Sequence, residues 1–354
     1  MSLPSIVVNF KEQASTFVRR SQRGTIAIII KDSGVAAGAY TLYSRADIPS
    51  GLGAANKEYI ERAFIGNVDV PRKVIVYVLD ASATSYDDAL EYFETVKFDY
   101  LVGAPDITET FAGDIALWVE EEREKGHKVK AVLPAYDADS EAVVNFATTG
   151  IKVGSASVTT AAFCSRIAGL IVGTPITQSV TYAAVPEVTS VASLTKTELD
   201  SQIDAGEFLL FHDGEKVKVA RGVTSLATTS GKIAAMKKIK IVEAMDMMEN
   251  DIKTTCEDVY IGKFPNSYDN KCILMASIKS YLQSLETEGI LQAGKSDVSI
   301  DLDAQRQYLA SKGVDVSNMT EQELKEYNTD DKVFLQATVK ILDAIEYITL
   351  NIVM

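Results

Sequence analysis

The chain has 354 residues, 47% of them hydrophobic and 24% charged, and its 35 Lys and Arg against 49 Asp and Glu leave a formal charge of −14. An acidic chain repels phosphate backbones, which argues against nucleic-acid binding, and an ordinary apolar content argues against disorder. At about 150 residues per domain the length suggests two or three domains.

The first residues alternate: Ile6, Val8 and Phe10 against Ser5, Val7 and Asn9, which predicts a strand. The opening MSLPSIVVNFKEQ has no basic segment followed by a long apolar run, so no secretory leader is expected. A polar run from Lys11 to Arg23 then tethers this strand to the rest. Strands are predicted at Thr25–Ile30 and Lys73–Leu79, with a helix around Asn56–Phe64. Next comes an alternation of helices and strands. Tyr86–Val96 is helical with Asp87 and Asp88 in its first turn, Tyr100–Gly103 a strand, Phe111–Lys125 a helix stopped by Gly126, and Val129–Leu133 a strand. Ser140–Phe146 reads as a helix with an acidic entry, Ile151–Val153 as a strand, and Thr160–Val172 as a small-residue helix ending at Gly173-Thr174-Pro175. The uncharged stretch Ile167–Pro186 has the length of a membrane span but carries prolines, Thr, Ser and Gln, so no span is expected.

The second half has another rhythm. A helix at Thr197–Ala205 precedes a hairpin in which Phe208–Phe211 and Lys216–Val219 flank Asp213-Gly214. Helices follow at Lys232–Thr254, rich in Met, and at Asn270–Glu288, closed by Gly289. From Lys332 the chain returns to strands: Leu335, Ala337, Val339 and Ile341 alternate with polar residues, then Ile348, Leu350 and Ile352 do the same. Together these patterns predict an α/β fold of mixed α+β character, with several domains, helices on a mixed sheet and extended strands at both ends.

No catalytic, cofactor-binding or metal-ligating constellation emerges. Gly222…Gly231-Lys232 has the wrong spacing for a phosphate-binding loop, and Ile233 stands where Ser or Thr is needed. No GxGxxG or GxSxG is present. His127 and His212 read as solvated loop residues, Asp137–Glu141 lacks the glycine and closing Glu of a calcium loop, and Cys164, Cys256 and Cys272 form no CxxC pair. A binding or structural role is favoured, with an α/β hydrolase or nucleotide-binding enzyme using carboxylates as the alternative. The terminal strands are the unusual feature. Unpaired strand edges are normally suppressed, so their retention points to pairing with neighbouring molecules. The other reading is that both strands edge a sheet of their own chain. The expected subunit-interface residues are Ile6, Val8, Phe10, Leu335, Val339, Ile341, Ile348, Leu350 and Ile352.

Several stretches carry a resemblance: LPSIVVNFKEQ with RGTIAI, GTPITQSVTYAAVPEV, LTKTELDSQIDAGEFLLFHDGEKVKVARGVTSL, VYIGKFPNSYDNKCILMASIKSYLQSLETEGIL and KVFLQATVKILDAIEYITLNIVM. The sequence resembles contractile-tail sheath proteins, of the shorter type found in myophages, defective prophages and phage-tail-like bacteriocins. The resemblance divides the chain into an arm and tether (1–23), an outer β-rich domain (24–95), an α/β domain (96–195), a C-terminal sheath domain (196–331) and a second arm (332–354). It implies a non-enzymatic subunit without cofactors that forms a helical homopolymer of hexameric rings around an inner tail tube, made in a bacterial cytoplasm and released as part of a tail or tail-like particle. Baseplate and tail terminator are further implied partners; nucleic acid and membrane are not. On triggering, the rings compact and drive the tube through a bacterial envelope, while the arms keep subunits joined. Lys11–Arg23 and Asn328–Lys332 are the expected hinges. Lys232, Lys237, Lys238 and Lys240 make one helix start basic and are expected to face an acidic tube.

Overall fold

A computed structural model describes Val18, Arg20 and residues 23–353. Its elements run β1 (Thr25–Lys31), β2 (Gly38–Leu42), α1 (Ala54–Ala63), β3 (Lys73–Leu79), α2 (Asp87–Glu94), β4 (Tyr100–Val102), α3 (Glu109–Glu124), β5 (Lys130–Pro134), β6 (Val143–Phe146), β7 (Ile151–Val153), β8 (Ala156–Val158) and α4 (Thr160–Val172). They continue with β9 (Val188–Ser190), α5 (Lys196–Asp204), β10 (Glu207–Phe208), β11 (Leu210–His212), β12 (Val217–Val219), α6 (Ile239–Thr255), α7 (Tyr268–Thr287), β13 (Asp297–Ile300), α8 (Leu302–Ser311), α9 (Glu321–Glu326) and β14 (Leu335–Thr338). The chain forms two compact units, one running to Met247 and taking in the tail from Asp343, the other spanning Met248–Leu342 with Arg20.

The first unit is built on a seven-stranded sheet in the order β10-β6-β5-β4-β1-β3-β2. All neighbours are parallel except β2, which runs antiparallel to β3 at the edge. Strand alternation divides the core. Ile26, Ile28 and Ile30 point to a face covered by α1 and α4, whereas Ala27 and Ile29 point to a face covered by α2 and α3. A parallel sheet buried on both faces has continuous apolar strands, which is why TIAIII and KVIVYVL carry so few polar residues. Helix α4 packs on α1 at Gly169, where an added Cβ would sit 2.1 Å from the Ala63 carbonyl oxygen. β11 and β12 form a separate hairpin, and β8-β7-β9 a small antiparallel sheet.

The fold is therefore the mixed α/β arrangement expected, with three local differences. Residues 143–146 form a strand, not the end of a helix at Ser140–Phe146, because they pair with β5 on one side and β10 on the other. The Asp137–Glu141 stretch is accordingly no helix entry; Asp139 accepts the Ala227 and Thr228 N–H groups at 2.7 and 2.8 Å. The long helix starts at Ile239, preceded by a 3₁₀ turn at Ala234–Lys237. The sheet also joins β1, β4 and β10, so it spans the expected boundaries at residues 95 and 195.

In the second unit, the Tyr281 hydroxyl donates to the fully buried Asp251 at 2.6 Å. Asn266, within the VYIGKFPNSYDN stretch, donates through Nδ2 to Thr329 Oγ1 and to the Asp330 and Lys332 carbonyls at 2.9–3.1 Å. Thr329 is fully buried. The expected hinge at Asn328–Lys332 is thus a firmly tied turn.

Candidate assembly surfaces

Ile6, Val8 and Phe10 lie outside the described residues, as does most of the Lys11–Arg23 tether. The C-terminal positions divide. Leu335 belongs to β14, which pairs antiparallel with β13 of the same chain, Leu335 opposite Ile300. Val339 is half-buried just beyond that strand, and Ile341 bridges to Leu291. The last ladder-like contact is the Leu342 N–H to the Ile290 carbonyl, at 2.9 Å. Ile348, Leu350 and Ile352 then follow outside any helix or strand, all strongly exposed and joined by Ile345 and Val353. Among the described residues, no main-chain hydrogen bond to another backbone group holds this stretch. The terminal segment is therefore half integral strand and half free apolar ribbon.

What fixes the root of the ribbon is a carboxylate that periodicity does not single out. The Glu346 side chain is 8% exposed. Its Oε1 accepts from Thr181 Oγ1 at 2.8 Å, and its Oε2 from Arg221 Nη2 at 2.9 Å, Arg221 Nε at 3.2 Å and Lys238 Nζ at 3.0 Å. Lys238 also pairs with Asp343. Burial alone raises the Glu346 carboxyl, but the hydrogen bonds from Thr181, Lys238 and Arg221 outweigh it and hold the group below its ordinary value. The neighbours of Glu346 point the other way: Ile345 is 85% exposed and Tyr347 81%.

This arrangement also answers for the basic cluster. Lys232 pairs with Glu141 at 2.7 Å, Lys238 is taken by Asp343 and Glu346, and Lys240 is buried. Among the described residues, Lys237 is the one of the four that is half-exposed with no carboxylate partner. Three of the four precede α6 and do not form its first turn.

A second charged set lies at the N-terminal ends of the parallel strands. Asp99 accepts the Gly24 and Thr25 N–H groups at 2.8 and 2.7 Å. Glu243 and Asp246 of α6 bring their carboxylates to Arg23, Lys130 and Arg123, and the Tyr100 hydroxyl donates to Glu243 at 2.7 Å. With Asp99, three carboxylates balance three cations. Doubly wound sheets hold ligands at the opposite, C-terminal ends of their strands. There, Asp32 accepts from the Gly34 and Gly53 N–H groups and from Asn56, while Lys31 donates to the Ala83 carbonyl over the Phe111 ring. Both ends are occupied by the chain's own groups. The carboxylates are consumed in ion pairs and backbone capping, and the geometry offers the carboxylate-enzyme alternative no support.

Comparison with known proteins agrees. Residues 80–225 match the family model of the phage tail sheath protein central domain, and residues 232–354 that of the phage tail sheath C-terminal domain. The tail sheath protein of Clostridium phage phiCD119 is 38% identical over 359 residues, covering 99% of each chain. Among solved structures, the sheath tail protein from Desulfitobacterium hafniense superposes on 84% of this chain and 94% of its own, with a TM-score of 0.70 and 16% identity. The helical sheath of the anti-feeding prophage in its contracted state covers 100% and 99%, with a TM-score of 0.73 and 15% identity. These two likenesses establish the fold; the full-length sequence identity establishes the kinship. The chain belongs to the phage tail sheath family and is a structural protein of a tail or tail-like particle, not an enzyme.

Proposed function

We propose that this subunit polymerises as stacked hexameric rings around an inner tail tube, capped by baseplate and terminator, and that contraction of the polymer drives the tube through a bacterial envelope. The observation that carries this reading is the ribbon from Ile345 to Val353: six exposed large apolar side chains, at 345, 347, 348, 350, 352 and 353, with no main-chain partner beyond Leu342 among the described residues. Such an edge invites a strand from another copy. A fully buried Ile or Leu contributes about 1.5–3 kcal/mol, so docking Ile348, Leu350 and Ile352 on a neighbour is substantial. The two-stranded sheet β13–β14 offers acceptor edges, since a pair of strands standing alone is marginal and gains from augmentation. Ile6, Val8 and Phe10 supply the second donor strand, with Lys11–Arg23 as its tether.

Lys237 is the lysine left for an acidic tube surface, with Lys232 reaching it by exchanging Glu141 for an external carboxylate. Assembly takes place in the host cytoplasm before release. Contraction needs no nucleotide: the extended lattice is a trapped state, and a few kcal/mol per subunit, summed over many copies, supplies the work. Negative-stain imaging of concentrated purified protein tests the reading. Helical tubes are expected; a discrete small oligomer at every concentration overturns it.

A further inference from the structure

The ribbon's root presents an inverted pattern. In an ordinary surface strand the apolar residues turn inward and the charged one outward. Here Glu346 turns inward to Thr181, Arg221 and Lys238, while Ile345 and Tyr347 turn outward. Burying a carboxylate costs free energy unless several donors meet it, and this one meets four donor atoms.

The receptor is built for the purpose. Thr181 Oγ1 accepts from Ser179 Oγ at 2.9 Å and from the Gly222 N–H at 3.0 Å, which leaves its own proton for Glu346. Gly222 can approach so closely because it has no Cβ: an added one would stand 2.7 Å from Val180 Cγ2. Arg221, next in the chain, lays its guanidinium 5.5 Å from the Tyr347 ring centroid while binding Glu346. Lys238 spans Asp343 and Glu346, so the site grips the tail at two carboxylates three residues apart. Lys240 on α6 and Asp204 on α5 complete the local charges.

We propose that Glu346 is a positioning residue, an electrostatic clamp on the Thr181–Arg221–Lys238 receptor that fixes the direction in which the apolar ribbon leaves its own subunit and so presents it to a second copy. The inference rests on the polymer reading above and adds to it. A ribbon free to swing samples many directions, and each copy must then order it on binding; a clamped ribbon has met that cost beforehand.

The test compares full-length wild type with Glu346→Gln and, as a second variant on the receptor side, Lys238→Gln. Two readouts are needed: the rate of chymotryptic cleavage after Tyr347, followed by mass spectrometry on unassembled protein, and the concentration at which tubes form. Both variants should remain folded by circular dichroism. Cleavage is expected to accelerate about five-fold or more, and the concentration for assembly to rise about ten-fold, the consequence of losing charge-assisted hydrogen bonds. Unchanged cleavage in both folded variants overturns the clamp. Faster cleavage with unchanged assembly overturns its positioning role. If wild type forms no tubes yet the variants are cleaved faster, the polymer reading and the positioning role fall together and only the local grip survives; if wild type assembles and the variants match it in both readouts, the clamp alone falls.

Discussion

Arg123 meets Asp246 through both ends of its guanidinium, Nη1 to Oδ2 and Nη2 to Oδ1, each at 2.9 Å. The pair joins α3 to the first turns of α6, and Lys130 adds a third contact to Asp246 at 3.0 Å. Breaking a buried pair from one side leaves the partners unpaired, which typically costs about 3–5 kcal/mol. Arg123 keeps Glu141 within 3.9 Å, which softens the loss. Asp246→Asn should therefore destabilise the unassembled subunit by about 2–3 kcal/mol in urea unfolding, and a change below about 0.5 kcal/mol, the range of ordinary surface substitutions, shows that the set is not an essential tie.

The same network sets a pH dependence. Burial raises the Glu243 and Asp246 carboxyls, but Arg23 and Lys130 around the first, and Lys130 and Arg123 around the second, more than offset it, and both end lowered. For Asp99, burial wins over Lys130 and the Thr25 N–H, and that carboxyl is raised. The signs follow by linkage. Glu243 and Asp246 contribute stability above the ordinary carboxylate range that is lost as pH falls through their lowered folded values. Asp99 opposes them, gaining stability as pH falls through its raised value. Two groups against one give a net loss below about pH 4. Urea unfolding at pH 7, 5, 4 and 3 should show the decline beginning below pH 4 and made shallower by Asp246→Asn; constant stability to pH 3 contradicts it.

The α1–α4 crossing makes a sharper steric prediction. Alanine is the better helix former by about 1 kcal/mol, so propensity alone favours Gly169→Ala. An added methyl 2.1 Å from the Ala63 carbonyl oxygen, with the Ala63 carbonyl carbon 2.9 Å away, meets backbone that cannot rotate aside. Overpacking of this kind costs about 1–3 kcal/mol and here exceeds the propensity gain. Gly169→Ala should lower the melting temperature, measured on the unassembled subunit; an increase means that the helices shift apart freely.

Which features were legible follows from where their determinants lie. KVIVYVL reads as a strand at Lys73–Leu79 because apolar β-branched residues fill both faces, and Thr160–Val172 reads as a helix because the Gly173-Thr174-Pro175 stop follows it. VVNF at 143–146 has no alternation, being buried on both sides, and Ser140 ahead of it mimics a helix start; its identity comes from β5 and from β10, more than 60 residues on. β13 and α8 left no trace because the strand has one buried residue and the helix two. Charge runs show a basic surface, yet Lys232 and Lys238 find carboxylates 91, 105 and 108 residues away. The alternation of Ile348, Leu350 and Ile352 with Thr349 and Asn351 does not extend to Glu346, whose partners Thr181, Arg221 and Lys238 lie 165, 125 and 108 residues away in the chain, so nothing local marks it.

The division of the C-terminal segment predicts different outcomes for two truncations. Removing residues 347–354 takes away side chains that are exposed over 347–353 and a backbone without main-chain partners among the described residues, apart from the Arg221 contact on Tyr347. The remaining subunit should melt within about 2 °C of wild type, since surface changes alter stability by less than about 0.5 kcal/mol, and should form no tubes. Removing residues 332–354 is a different operation. It strips β14 from β13, deprives Asn266 of the Lys332 carbonyl, frees the Ile290 carbonyl and the Gln292 N–H, and exposes Leu291 where Ile341 had bridged it. Buried polar groups without partners and uncovered apolar surface destabilise together. This longer truncation should melt several degrees lower and aggregate, detected by light scattering. If instead it stays a folded, soluble monomer, β14 is an accessory to its own unit and the whole segment from Lys332 is available for donation.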